Sequence, residues 1–151
     1  ELALYRSATR GRFAVVEKMI KYGVSCAARD RVGTNAIDQL FSYLFGVNTR
    51  FSKHELEAME RIVARGCRVS GVGKAGELVS NLFLKLTLER YVRNGTGSLL
   101  LSALDLYLRA GADPNSLHLG RPIICAAMDS NSLEAIEMLR RHGASSTDCV
   151  W

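Results

Sequence analysis

A chain of 151 residues that is 48% apolar, with a mean hydropathy of +0.04, has the length of one domain or a short stacked array and enough apolar side chains to bury a core, which excludes a disordered segment. The net charge of +5 comes from 20 Lys and Arg against 15 Asp and Glu, with no run of five cations, and reads first as a mildly basic solvated surface and second as a site for an anionic ligand or nucleic acid. The longest apolar run, residues 78–88, is interrupted by Lys85 and is too short to span a bilayer, so no membrane partner is expected.

The first expected element is a helix over 2–9. Glu1 opens directly into it with no charged-then-apolar leader, which reads as a chain excised from something longer or one that has lost a leader. A second helix follows and stops at Gly23, after Ile-Lys-Tyr. Asp30-Arg-Val-Gly33 reads as a turn, and Asn35 to Phe45 as a third helix. Ser52-Lys-His-Glu55 is a capping-box pattern opening a fourth, which stops at Gly66. A longer helix is expected over 76–92. Ser98 can cap the next, which ends at Gly111. Pro122 suits the first turn of a helix over 121–129, and Ser132 caps the last, which ends at Gly143.

Counting back from the four glycines exposes a repeat. Ten residues before them stand Phe13, Leu56, Leu101 and Leu133; eight before, Val15, Ala58, Ala103 and Ala135. Seven before stand Val16, Met59, Leu104 and Ile136; four before, Met19, Ile62, Tyr107 and Leu139. All are apolar, and offsets of three and six keep the first, third and fourth columns on one helical stripe. Each glycine follows Lys, Arg or His within a helical turn, as a left-handed C-terminal cap at the negative end of a helix dipole does. The pattern is eight helices in four hairpins, with no long strand. Three residues before the glycines the column reads Ile20, Val63, Leu108 and then Arg140, so the last helix is expected to face solvent and little folded chain to follow Trp151.

Cys26, Cys67, Cys125 and Cys149 lie far apart and form no CxxC pair. They could form two disulfides, but a core this apolar does not need them, so reduced, mostly buried thiols and an intracellular, cytoplasmic or nuclear setting are expected, with a secreted effector acting inside a host cell as the alternative.

The glycine intervals are 43, 45 and 32 residues, and the last approaches an ankyrin period of about 33. The chain resembles the ankyrin-repeat family. Gly111-Ala-Asp-Pro-Asn115 matches its Gly-Ala-Asp-x-Asn ending, and Arg121-Pro-Ile-Ile-Cys-Ala-Ala127 its Thr-Pro-Leu-His-x-Ala-Ala opening, with Arg, Ile and Ile in place of Thr, Leu and His. Leu4-Tyr-Arg-Ser-Ala-Thr-Arg-Gly11, followed by Val15-Val16 and Tyr22-Gly23, fits a repeat without its opening turn. The two middle repeats lack the Thr-Pro-Leu-His motif and carry insertions, one near 46–51, the other lengthening a first helix toward Tyr91. The resemblance implies an all-α, ankyrin-type α-solenoid forming a single domain over 1–151, with repeats near 1–29, 30–70, 71–115 and 116–151.

Other motifs read as structure. Gly71-Val-Gly73-Lys-Ala-Gly76 satisfies GxGxxG, but Arg68-Val-Ser70 is too short and polar for the strand that must precede a dinucleotide loop. It reads as a glycine-rich turn. His54, His118 and His142 stand at no metal or catalytic spacing. Glu55, Glu57 and Glu60 read as a solvated helix face, and Asn94-Gly-Thr96 is a glycosylation sequon that matters only outside the cell. No enzyme, cofactor, metal or small-molecule substrate is expected.

The family binds partner proteins through a concave face of turn tips and first helices. The resemblance therefore implies a protein-interaction module, the targeting or scaffolding part of something larger. It places Arg31, Val32 and Thr34 on one tip and Lys74 on the next. Thr9, Arg10, Ser42, Tyr43, Met128 and Asp129 fall on exposed first-helix positions, with Arg121 bordering the same face.

Overall fold

The computed structural model describes residues 2–46, 52–72, 75–87, 97–130, 132–145 and 149. Among these, eight helices and one two-residue strand pair make up the regular structure, and the fold is all-α. The chain divides into two units, Glu1–Gly73 and Lys74–Trp151.

The first unit contains α1 (Leu2–Thr9), α2 (Phe13–Lys21), α3 (Ala36–Leu44) and α4 (Lys53–Ala64). Helix α1 packs on α2 and α3, and α2 packs on α4. Its core is drawn from Leu4 and Ala8 on α1, Phe13 and Val16 on α2, and Leu40 and Ile62 on α3 and α4, all 5% exposed or less. Leu4 and Ala8 stand one helical turn apart, so a single stripe of α1 supplies its contacts. Burying each larger apolar side chain contributes about 1.5–3 kcal/mol, and no isolated helix of eight or nine residues would persist without it.

The second unit contains α5 (Ala75–Thr87), α6 (Gly97–Arg109), β1 (Leu117–His118), β2 (Arg121–Pro122), α7 (Ile123–Asp129) and α8 (Leu133–Arg141). Helix α5 packs on α6 and α7, and α7 and α6 each pack on α8, so one helical pair lies on another as in the first unit. The strands pair antiparallel, His118 opposite Arg121, and form a short finger ahead of α7. The expected insertion at 46–51 and the extension toward Tyr91 lie largely outside the described residues.

Helix ends follow local chemistry. Gly23, Gly66, Gly111 and Gly143 all have φ between +96° and +105°. Behind three of them the next residue's N–H reaches back five residues: Val24 to the Met19 carbonyl, Ala112 to Tyr107 and Ala144 to Leu139. That closure needs a left-handed residue, which glycine supplies without a Cβ penalty. The Ser52–Glu55 capping box is present, and Ser132 accepts from the Ala135 N–H at 3.3 Å. A second box was not foreseen: Asn35 and Asp38 exchange backbone-to-side-chain bonds of 2.9 and 3.0 Å at the start of α3. The apolar columns are mostly buried, but Val15 and Leu133 stand 45% and 73% exposed.

The cysteines correct the expectation of free thiols. Cys26 is bonded to Cys67 and Cys125 to Cys149, with Cα separations of 5.9 and 5.3 Å, and none is free. Helix α2 lies along α4, which brings the segments following them together, 41 residues apart in sequence. That spacing carries no local signature. No helix among the described residues is long and apolar enough to cross a membrane.

Candidate interaction surface

In the first unit the turn at 30–34 is built around one carboxylate. Asp30 Oδ1 accepts the backbone N–H groups of Val32, Gly33 and Thr34 at 2.9, 3.0 and 3.0 Å. Its Oδ2 accepts the Tyr5 hydroxyl and the Thr34 hydroxyl, each at 2.9 Å. Gln39 Nε2 in turn donates to the Tyr5 oxygen at 2.9 Å, tying α1, the turn and α3 together. The Tyr5 hydroxyl first, then Thr34 and the backbone donors, outweigh what burial opposes and pull the Asp30 carboxyl from 3.8 to about 2. A carboxylate accepting five bonds freezes the turn and leaves Arg31 and Val32 pointing outward, Val32 being 73% exposed. The Thr34 hydroxyl is spent inside the turn.

The next turn is docked on this one. Asn35 Nδ2 donates to the Arg68 carbonyl at 3.0 Å, Ser70 N–H donates to Asp38 Oδ1 at 3.1 Å, and Arg29 Nη2 donates to the Ser70 carbonyl at 3.2 Å. Val72 Cγ2 lies 3.3 Å from where a Cβ on Gly33 would stand. Lys74, expected at this tip, lies outside the described residues.

Thr9, Arg10, Ser42 and Tyr43 do not join the tip. They sit at the opposite ends of α1 and α3, a helix length of roughly 13.5 Å away for nine residues at 1.5 Å each. Thr9 donates its hydroxyl to the Tyr5 carbonyl at 2.8 Å. Tyr43 packs edge-on against Phe13 with ring centroids 5.9 Å apart, a contact that holds the α1–α2 turn. Arg10 is exposed and Ser42 half-buried.

In the second unit Arg121 and Asp129 come together: Nη1 and Nη2 both donate to Asp129 Oδ2 at 3.2 Å. Met128, one residue before Asp129, is half-buried. The finger, α5 and α7 border a cleft of about 340 Å3 with Phe83, Ile123 and Ala126 in its lining and His118, Arg121 and Asp129 around them. Sequence reasoning missed Leu119. It has φ +52°, followed by Gly120 at +79°, and is 89% exposed. A two-residue hairpin loop with positive φ at both positions favours Asn-Gly, so leucine in the first of them gave no signal of its own.

One side-chain pair, Asp105–His142, ties α6 to the end of α8, and Arg109 braces Asp105 from within α6. Asp105 Oδ1 lies 2.9 Å from His142 Nε2, and Arg109 Nε donates to Asp105 Oδ2 at 3.0 Å. Partial burial works to raise the Asp105 carboxyl, but His142 and Arg109 prevail and hold it below its ordinary value. Asn115 donates Nδ2 to the Gly143 carbonyl at 3.1 Å and accepts the Ser145 N–H at 3.0 Å.

Of the GxGxxG stretch, Gly76 has a packing role. A Cβ there would stand 2.0 Å from the Leu117 carbonyl oxygen of the finger. Among the described residues no three His, Cys, Asp or Glu come together as a metal ion would need. No protein-family model matches the chain, and no curated protein matches it.

Proposed function

We propose that the chain is a non-catalytic protein-interaction module of ankyrin type, each unit supplying a pair of repeats that present turn tips and first helices to a partner protein. The observation that carries this reading is the Asp30 turn. Five hydrogen bonds immobilise a backbone whose side chains at 31 and 32 contribute little to the core. Ordering a binding loop during folding removes that entropy cost from association. Leu119, exposed on the finger of the second unit, fits the same reading, since a large apolar side chain there has no folding role.

The paired cysteines favour an oxidising compartment over the cytoplasmic or nuclear setting that free thiols implied. A role as the targeting or scaffolding arm of a larger protein remains part of the proposal. The second reading, an anionic ligand or nucleic acid on a basic surface, draws on one observation. The first 73 residues hold 12 of the 20 cations and seven of the 15 acids, and so carry the whole net charge of +5.

The test is affinity capture with mass spectrometry, using the full chain and a variant carrying Val32→Glu and Leu119→Glu. A partner retained by the parent and lost by a variant with an unchanged melt supports the module. Equal capture by both sinks it. Binding of a single-stranded oligonucleotide with a steep log–log salt dependence would favour the second reading.

A further inference from the structure

We propose that the paired turns of the first unit, residues 29–34 and 68–72, form a docking ridge for an acidic peptide segment of a partner protein that also carries aliphatic side chains. The proposal rests on the interaction-module reading and names the chemistry of its partner.

Rigidity comes first. The turn at 30–34 is held by Asp30, and the turn at 68–72 is pinned to it through Asn35, Asp38 and Arg29. Along this fixed backbone stand two exposed valines, Val32 at 73% and Val72 at 40%, the latter in contact range of Gly33 beside Val32. Together they make an aliphatic strip outside the core. Their covering would supply the apolar part of an interface.

Charge gives the strip its partner. In the first unit Glu17 is bonded to Arg61, Asp30 to the turn, Asp38 to Asn35 and Ser70, and Glu55 to Ser52. Of these only Asp30 and Asp38 are bonded into the two turns, and Glu57 and Glu60 lie away on α4. Within the two turns Arg29, Arg31 and Arg68 are exposed, and none has an ion-pair partner among the described residues. Three exposed arginines against two carboxylates, on a unit whose 73 residues carry a net charge of +5, attract carboxylates, which arginine binds through two parallel N–H bonds. A nucleic acid shares the charge but not the rest: single strands are held by stacking bases on aromatic rings, and the ridge between these cations offers valines.

The experiment is selection of a displayed random dodecapeptide library on the full chain, followed by affinity measurement with synthetic copies of the enriched peptides. The proposal expects net-acidic peptides with at least one Leu, Ile or Val, bound about tenfold more weakly by Arg31→Glu and by Val32→Asp with unchanged melts. Enriched peptides that are neutral or basic overturn it, as does affinity untouched by either substitution. Equal affinity for a single-stranded oligonucleotide of matched charge also overturns it, because attraction is then to charge alone. Peptides whose affinity falls only with Leu119→Asn leave the module standing and remove this ridge. No enriched peptide at all removes both.

Discussion

The ring of Tyr43 fills the space that a Cβ would need at Gly11, with three ring carbons 2.4–2.5 Å from that position. Gly11 also has φ +70°, which an L side chain adopts only at a cost. Gly11→Ala should therefore destabilise the first unit by about 1–3 kcal/mol in urea unfolding, from left-handed strain plus displacement of the ring. In a Tyr43→Ala background only the strain remains, so the same substitution should cost measurably less there. Equal costs in the two backgrounds would show that the ring does not press on the turn.

Acid should loosen the same unit in a definite order. The folded Asp30 carboxyl titrates at about 2 against 3.8 in its unperturbed state. Because the folded value is the lower one, its contribution is complete above 3.8 and lost as pH falls through about 2. Glu17, lowered chiefly by its bond to Arg61, has the same sign. The melting temperature should fall between pH 5 and pH 2, and Tyr5→Phe should raise the Asp30 titration point toward 3.8 when followed by carboxyl NMR. A parent protein whose Asp30 already titrates near 3.8 would remove the Tyr5 contact from the account.

The cysteine pairing has a direct readout. Unfolded without reductant, the protein should take up no alkylating reagent, and a non-reduced peptide map should yield Cys26–Cys67 and Cys125–Cys149 cross-links. Cys67→Ser together with Cys26→Ser frees a loop closed over 41 residues and should cost about 2–4 kcal/mol. Four reactive thiols in the untreated protein would restore the earlier expectation.

What could be read in the sequence was what one helical turn decides. Gly23, Gly111 and Gly143 close helices through bonds spanning five residues, and the Ser52–Glu55 box spans three. Those distances fit inside a motif. Tyr5 meets Asp30 across 25 residues and Asn35 meets Arg68 across 33, so neither pairing has a periodicity to betray it. Tyr43 illustrates the same limit at the candidate site. Its exposed first-helix position was legible, and it stands 39% exposed, but its packing on Gly11 and Phe13 as the buttress of a turn at the far end from the tips was not. Arg31 and Val32 were legible because a turn tip has nowhere to put its side chains but outward.

Gly76 tests the finger of the second unit. The atom that a Cβ would meet, at 2.0 Å, is the backbone oxygen of Leu117 and cannot swing aside. Gly76→Ala should cost about 1–3 kcal/mol, and Gly76→Val more. A neutral Gly76→Ala would mean that the finger does not rest on α5.

Leu119 offers the reverse outcome, a substitution that stabilises. Its φ of +52° is the left-handed value that L residues avoid, and its 89% exposure shows almost no burial to offset the cost. Asparagine tolerates that backbone, and Asn before Gly120 is the preferred pair for a two-residue hairpin loop. Leu119→Asn should therefore raise stability by about 1 kcal/mol, seen as a higher melting temperature. If the finger binds a partner, the same variant should bind it more weakly, because the exposed aliphatic anchor is gone. A variant that melts lower would show that Leu119 is packed, and one that melts higher with partner affinity intact would remove the finger from the interface.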